Sequence, residues 1–269
     1  MKPDGAPGEL VYLFCVAGKA PKGLDACGDI RCLPYKGICA VTGRASGDDF
    51  SGKGLEKNLG DLDWIERKAR FHEMVVEKTM AASAVMPFKF GTVFESEDSL
   101  KRMLDQYLDE FRDILKKLEG KREWGVKVFY RCHNAENKNT PVAPKIGFEE
   151  EASPSSGVAF FERKKQERLT AELRERKIND ARGQVYEALG GHSAEIRINR
   201  LLPPEANGIK EEMILNAAFL VDNEKAGAFI DEVEILKEEH PALEIECTGP
   251  WPPYNFCLFK EKGRGPDGK

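Results

Sequence analysis

The chain has 269 residues, with 41% apolar and 32% charged side chains; this composition excludes wholesale disorder, and the length favours two domains over a single core. Its 41 Lys and Arg stand against 46 Asp and Glu for a net charge of −5, which speaks against nucleic acid or an anionic membrane as the main partner. The longest apolar run, Leu10 to Ala17, falls far short of the roughly 20 residues a spanning helix needs, and reads as a first strand rather than a signal peptide.

The first half opens on that strand, Leu10–Val16, followed by a loop over 17–35, a short strand at Gly37–Thr42 and a Gly/Ser/Asp-rich surface loop over 43–60. A helix begins near Asp63, where Asp63 and Glu66 resemble a capping box. Ile65, Ala69, His72 and Val76 then fall on one helical face, widened by Phe71 and Val75. Residues 85–94, VMPFKFGTVF, are aromatic and β-forming but interrupted by Pro87 and Gly91, as in an edge strand or a strand–loop–strand piece. If that strand is regular, Phe88, Phe90 and Phe94 share one side, and its ordinary partner is the strand Trp124–Cys132. Between the two lies a long amphipathic helix capped by Ser96 and stopped at Gly120.

Residues 133–157 are rich in Pro, Asn, Glu and Ser and read as a linker, dividing a domain over 1–132 from one over 158–259, with a polar tail over 260–269. The second half opens with a highly charged helix over about 160–189, whose apolar stripe (Leu169, Leu173, Ala181, Val185, Leu189) lapses around 174–177. It reads as a helix packed on one side and solvated on the other; the sharper alternative is a protein-docking helix. Strands at Ala194–Leu201 and Met213–Val221 come next. A helix from Asn223 carries Phe229, Ile230, Val233 and Leu236 on one face, before strands at Leu243–Cys247 and Tyr254–Phe259. The fold class expected is α+β in two domains: an N-terminal mixed strand/helix domain and a C-terminal ferredoxin-like domain with a long charged helix.

Motifs for chemistry are sparse. His72-Glu73 begins like a zinc-protease helix, but Val76 stands where the second His is needed, so His72 reads as a core histidine. Cys27, Cys32 and Cys39 lack zinc or CxxC spacing, and the odd total of seven cysteines fits reduced thiols of the cytoplasm. No phosphate-binding glycine loop and no nucleophile elbow is present. Lys89–Phe94 loosely matches an RNA-recognition strand, but Phe90 stands where its first Gly belongs. Catalytic, metal and cofactor sites are therefore expected to be absent.

Two long stretches are more specific. Residues 63–100, continuing to Arg131, contain His72–Val75, MPFKFGTVF (Met86–Phe94) and the strand start Glu123–Lys127. Residues 213–236 lead into GPWPPYNF, Gly249–Phe256. Together with the opening strand Tyr12–Val16, these resemble the gas vesicle protein GvpL/GvpF family across most of the chain. Met86 departs from the commoner Leu, and the cysteines at 27, 32 and 39 are not features of that family.

The resemblance implies a non-enzymatic, cytoplasmic accessory protein of gas vesicle assembly. Its expected partners are the small hydrophobic major shell protein and other accessory proteins, which it would serve as chaperone, nucleator or minor vesicle component, with no cofactor, nucleic acid or membrane. The candidate partner-binding or motif residues are Pro87, Phe88, Phe90, Gly91, Trp124, Lys127, Gly249, Pro250, Trp251, Pro252, Pro253 and Tyr254. Two readings of Trp251 stand open: it plugs the core of the second domain, or the stiff proline loop holds it out as a docking surface. An edge at 86–94 could likewise accept a partner strand. The alternative from another class is a small-molecule enzyme on a ferredoxin-like scaffold, using His72 or a thiol.

Overall fold

The structure is a computed structural model that describes residues 8–21, 28–50, 52–131, 156–203 and 211–257. The fold is α+β, and the chain divides into two compact units: residues 1–124, 220–224 and 248–269, and residues 125–219 and 225–247. The expected linker 133–157 lies almost wholly outside the described residues, as do the tail 260–269, Cys27 and Cys132.

In the first unit, β1 (Glu9–Ala17) is the central strand of an antiparallel sheet. On one side it pairs along its length with β3 (Ile38–Ser46), from Glu9 opposite Ser46 to Ala17 opposite Cys39, with a bulge between Leu13 and Cys15. Beyond β3 lies β2 (Arg31–Tyr35), a strand where a loop was expected. Pro34 hides it in the sequence, yet proline is tolerated at a sheet edge, where no ladder partner is needed on the outer side. The expected loop over 43–60 is likewise replaced. β3 runs on to Ser46 because β1 is long enough to pair with it, and two short helices follow, α1 (Gly47–Phe50) and α2 (Gly52–Asn58). They deliver Phe50 to the core.

On its other side β1 pairs with β4 (Val85–Pro87) and β5 (Val93–Phe94), so residues 85–94 form a strand–loop–strand segment along β1 and do not pair with the Trp124 strand. The intervening residues stay close: Phe88 N–H donates to Phe14 O and Leu13 N–H to Thr92 O, both at 2.9 Å. β4 ends at Pro87, so regular alternation does not run on through Phe88 and Phe90, and Gly91 turns the chain at φ +82. Phe88 stacks edge-on against Phe111, while Phe90 joins Phe50, Trp64 and His72 in a different cluster. The two do not share a side as regular alternation requires.

Helix α3 (Leu62–Ala82) covers the sheet with Trp64, His72, Val75, Val76, Thr79 and Met80. Its cap is Asp61, which accepts from Trp64 N–H at 3.1 Å, two residues earlier than the sequence suggests. The helix expected from Ser96 to Gly120 is two helices, α4 (Glu97–Gln106) and α5 (Leu108–Leu118), broken at Tyr107 (φ −118, ψ 15). Ser96 caps α4 through a reciprocal pair of bonds with Ser99. The apolar stripe survives the break, with Leu100, Leu104, Phe111, Leu115 and Leu118 all buried.

The second sheet orders its strands β7 (Glu195–Ile198), β8 (Glu212–Asp222), β6 (Lys121–Tyr130), β9 (Leu243–Trp251). Among the described residues, with α6 (Ser156–Gly191) and α7 (Ala226–Glu239), its elements follow in the chain as β6-α6-β7-β8-α7-β9. The sequence counts β6 with the first half; its residues 121–124 lie in the first unit and 125–130 in the second. The strand expected at Tyr254–Phe259 begins with a 3-10 turn at Tyr254–Phe256, following Pro252 and Pro253. α7 buries Phe229, Val233 and Leu236 as expected, while Ile230 stays 40% exposed. On α6 the stripe stops much earlier than its spacing suggests. Val185 and Leu189 are buried, but Leu169 and Leu173 are half-exposed, and every residue from 160 to 177 is exposed.

Cys32 and Cys39 lie on the paired strands β2 and β3 with Cα atoms 5.8 Å apart and are joined as a disulfide, against the expectation of reduced thiols throughout. Cys15 and Cys257 are buried free thiols, and Cys247 is half-buried.

Candidate functional site

The motif stretches of the first unit converge on one turn of α3. His72 is buried, and its Nδ1 lies 2.9 Å from the Tyr12 hydroxyl, which in turn accepts from Gly91 N–H at 2.9 Å. Gly91 uses one acceptor site of the Tyr12 hydroxyl and leaves its proton free to point at Nδ1, an arrangement that suits a neutral imidazole accepting on that side. Tyr12, Phe14 and Phe90 surround the imidazole with ring centroids 5.5–6.2 Å away. Burial pushes its pKa down to about 4, opposed by the Phe88 backbone, and pushes Tyr12 up to about 12. His72 is thus a core histidine that ties α3 to the loop between β4 and β5.

The next residue, Glu73, faces the other motif. Tyr254 donates to its carboxylate at 3.2 Å. Burial holds the Glu73 carboxyl above the ordinary range, with the Tyr254 bond working against it and the charge of Glu77 adding to it. Asn255 donates twice to Glu123, from its backbone N–H at 2.9 Å and its side-chain amide at 2.6 Å. Glu123 is buried, and that burial raises its pKa while the two Asn255 bonds lower it. Cys257 donates its thiol proton to Pro253 O at 2.9 Å, and Lys117 sits over the Phe256 ring.

This scaffold decides where each candidate residue goes. Pro87, Phe88, Trp124, Pro252 and Pro253 are buried, and Phe90, Gly91 and Tyr254 are half-buried. Gly249 takes φ +136, and a Cβ there would meet Glu123 O at 2.9 Å and the Trp124 ring at 3.1 Å, so only glycine lets the loop approach that closely. The Gly249–Pro250 peptide is cis. Pro250 and Trp251 are exposed, Trp251 at 41% of its surface. The reading of Trp251 as a core plug therefore gives way: the turn's buried anchors are Pro252, Pro253 and Phe256. Lys127, in the second unit, points to solvent from β6. Tyr12, Glu73, Glu123 and Asn255 carry the arrangement; the sequence places them inside its motifs but not among the candidate partner-binding residues. Their partners are up to 181 positions away, and the one cue is the presence of polar residues beside apolar core positions.

Among the described residues no group of three or more His, Cys, Asp or Glu is arranged to hold a metal ion, and no helix is long and apolar enough to cross a membrane. A sequence model of the family described as "Gas vesicle synthesis protein GvpL/GvpF" matches residues 10–258. The chain belongs to the GvpL/GvpF family. Gas vesicle protein L of a Streptomyces species is 27% identical over 259 residues, covering 94% of each chain. Gas vesicle protein L1 of Halobacterium salinarum is 28% identical over 204 residues, covering 73% of this chain and 72% of that protein. In architecture the structure is similar to the crystal structure of the gas vesicle protein GvpF from Anabaena, with a TM-score of 0.66, 18% identity, and coverage of 96% of this chain and 100% of that one. The GvpF crystal structure from Microcystis aeruginosa gives a TM-score of 0.64 at 18% identity, covering 93% and 99%.

Proposed function

We propose that this GvpL/GvpF protein is an accessory factor of gas vesicle assembly in the cytoplasm, which acts by binding the major shell protein and other accessory proteins, as chaperone, nucleator or minor vesicle component, and carries out no chemistry of its own. The observation that carries this reading is Trp251: a large aromatic left 41% exposed at the end of β9, with the residues that follow it buried (Pro252, Pro253) or hydrogen-bonded (Tyr254, Asn255). A rigid, exposed Trp buries apolar area against a partner at little conformational cost, as interface anchors do. His72, the one histidine within a motif, is enclosed by aromatic rings with its Nδ1 already engaged, an arrangement suited to packing more than to proton transfer.

On this reading Pro250 and Trp251 are the contact residues. Pro87, Phe88, Phe90, Gly91, Trp124, Gly249, Pro252, Pro253 and Tyr254 support the loop and its sheet, and Lys127 is a separate solvent-facing cation. Co-expression with the major shell protein and affinity capture tests it. Trp251→Ala should retain the fold by circular dichroism yet recover much less shell protein. Equal recovery by a folded Trp251→Ala variant would refute Trp251 as the anchor.

A further inference from the structure

In the first unit an open cleft of about 450 Å³ lies where the C-terminal ends of α3 and α5 meet the loop after β1, the β2–β3 turn and the start of β6. Lys19, Arg112, Lys116 and Arg122 line it against one carboxylate, Glu119, in a chain whose net charge is −5. Arg122 is built into the wall: half-buried, it donates to Met80 O at 2.7 Å and to Lys121 O at 2.9 Å. Arg112 is held by Lys36 O and Asp109. Lys19 and Lys116 are exposed, and among the described residues neither ammonium group has an ion-pair partner.

The cleft also offers acceptors. α3 ends at Ala82, with its Thr79 carbonyl taken by Ser83 N–H and its Met80 carbonyl by Arg122. The Ala81 and Ala82 carbonyls lie past the last intrahelical donor and accept no hydrogen bond among the described residues. Compact anions such as phosphate favour helix N-termini, where N–H groups point outward. Here two helices present their C-terminal, partly negative ends, with cations around them. A ligand that matches both features carries N–H donors for the carbonyls and carboxylates for Lys19 and Lys116. An extended acidic peptide has both, and Ile38 and Leu115 supply apolar wall for its side-chain stems.

We infer that this cleft docks an acidic, extended segment of a partner protein, with Lys19 and Lys116 pairing its carboxylates and the end of α3 accepting its backbone N–H groups. The inference rests on the reading of the chain as a protein-binding accessory factor, but its test does not use the shell protein, so the two fail separately. Fluorescein-labelled hexaglutamate is titrated against the full chain at low ionic strength and followed by anisotropy. Saturable binding is expected, weakening as salt rises. The double variant Lys19→Ala/Lys116→Ala should lose about tenfold in affinity, what two exposed ion pairs supply. Glu119→Gln, which removes the one repelling carboxylate, should gain about threefold. Inorganic phosphate should displace the peptide no better than sodium chloride of equal ionic strength. All three substituted positions are exposed, so the variants should fold, as circular dichroism verifies. Absence of saturable binding, an unchanged affinity in the double variant or in Glu119→Gln, or specific displacement by phosphate would each overturn the inference, the last by making the cleft a small-anion site.

Discussion

The buried His72 should make stability fall on mild acidification. Its folded-state pKa is depressed to about 4 from 6.5, so the unfolded chain takes up this proton first. The contribution is complete above about pH 6.5 and is lost as pH falls toward 4. At pH 4.5 the loss from this one group is about 2–3 kcal/mol, from those two pKa values. The structure explains the cost. A proton on Nδ1 would face the Tyr12 hydroxyl, which already accepts from Gly91, and the hydroxyl proton would lose its acceptor inside an aromatic cage. Glu73 and Glu123 act in the opposite sense. Their folded pKa values are raised, so their contribution is present at low pH and is lost as pH rises through those values. The wild-type profile is therefore a sum, and His72→Gln isolates the histidine, because Gln supplies a neutral acceptor for Tyr12. Urea unfolding of both proteins between pH 7.5 and 4.5 should give curves that diverge on acidification, the wild type losing about 2–3 kcal/mol more. Parallel curves would show that His72 titrates normally and that its burial is wrongly described.

Three further perturbations test the supporting framework. Gly249→Ala forces an L side chain to φ +136 and a Cβ to 2.9 Å from Glu123 O, and should cost about 2–3 kcal/mol, read as a fall of several degrees in Tm. Glu123→Ala leaves both Asn255 donors without their acceptor and should destabilise by about 1–3 kcal/mol in denaturant unfolding. Leu173→Glu, on the half-exposed stretch of α6, should stay within about 0.5 kcal/mol of wild type; a larger loss would mean that this face is packed after all.

The elements legible in the sequence are those whose burial follows a local period. α3, α7 and the stripe from Leu100 to Leu118 bury most of the residues their spacing picks out, Phe71 and Ile230 staying 40% exposed at the margins of their faces, and β1, β3, β6 and β8 contain the runs that mark them. What was not legible depends on partners distant in the chain. β2 is a strand because β3 pairs with it, despite Pro34. The break at Tyr107 has no proline or glycine to announce it; the Tyr107 ring packs 5.9 Å from Phe111, and its N–H still bonds to Met103 O. Leu169 and Leu173 continue a helical stripe that stays half-exposed among the described residues, since spacing reveals which residues share a face but not how far the covering layer extends. At the site the motif segments were visible, but their joining to the consecutive residues His72 and Glu73 was not, because those contacts span 60 and 181 positions.

That joining bears on how Trp251 works. Pro252 and Pro253 are buried, Tyr254 is tied to α3 and Asn255 to Glu123, so the turn is fixed from its C-terminal side while Trp251 is left outside. A Trp side chain buries about 150–250 Å² when enclosed, so covering its exposed 41% would release about 2 kcal/mol. Because the turn is already ordered, little of that gain is spent on fixing the loop when a partner arrives. Trp251→Ala should then weaken capture of the partner about thirtyfold, the equivalent of about 2 kcal/mol, while Tm moves far less than in Gly249→Ala. Trp251→Phe should fall between wild type and Ala, since it keeps part of the apolar area. A Trp251→Ala protein that loses stability as severely as Gly249→Ala would mean that the indole braces the turn, and its exposure would no longer argue for a docking surface.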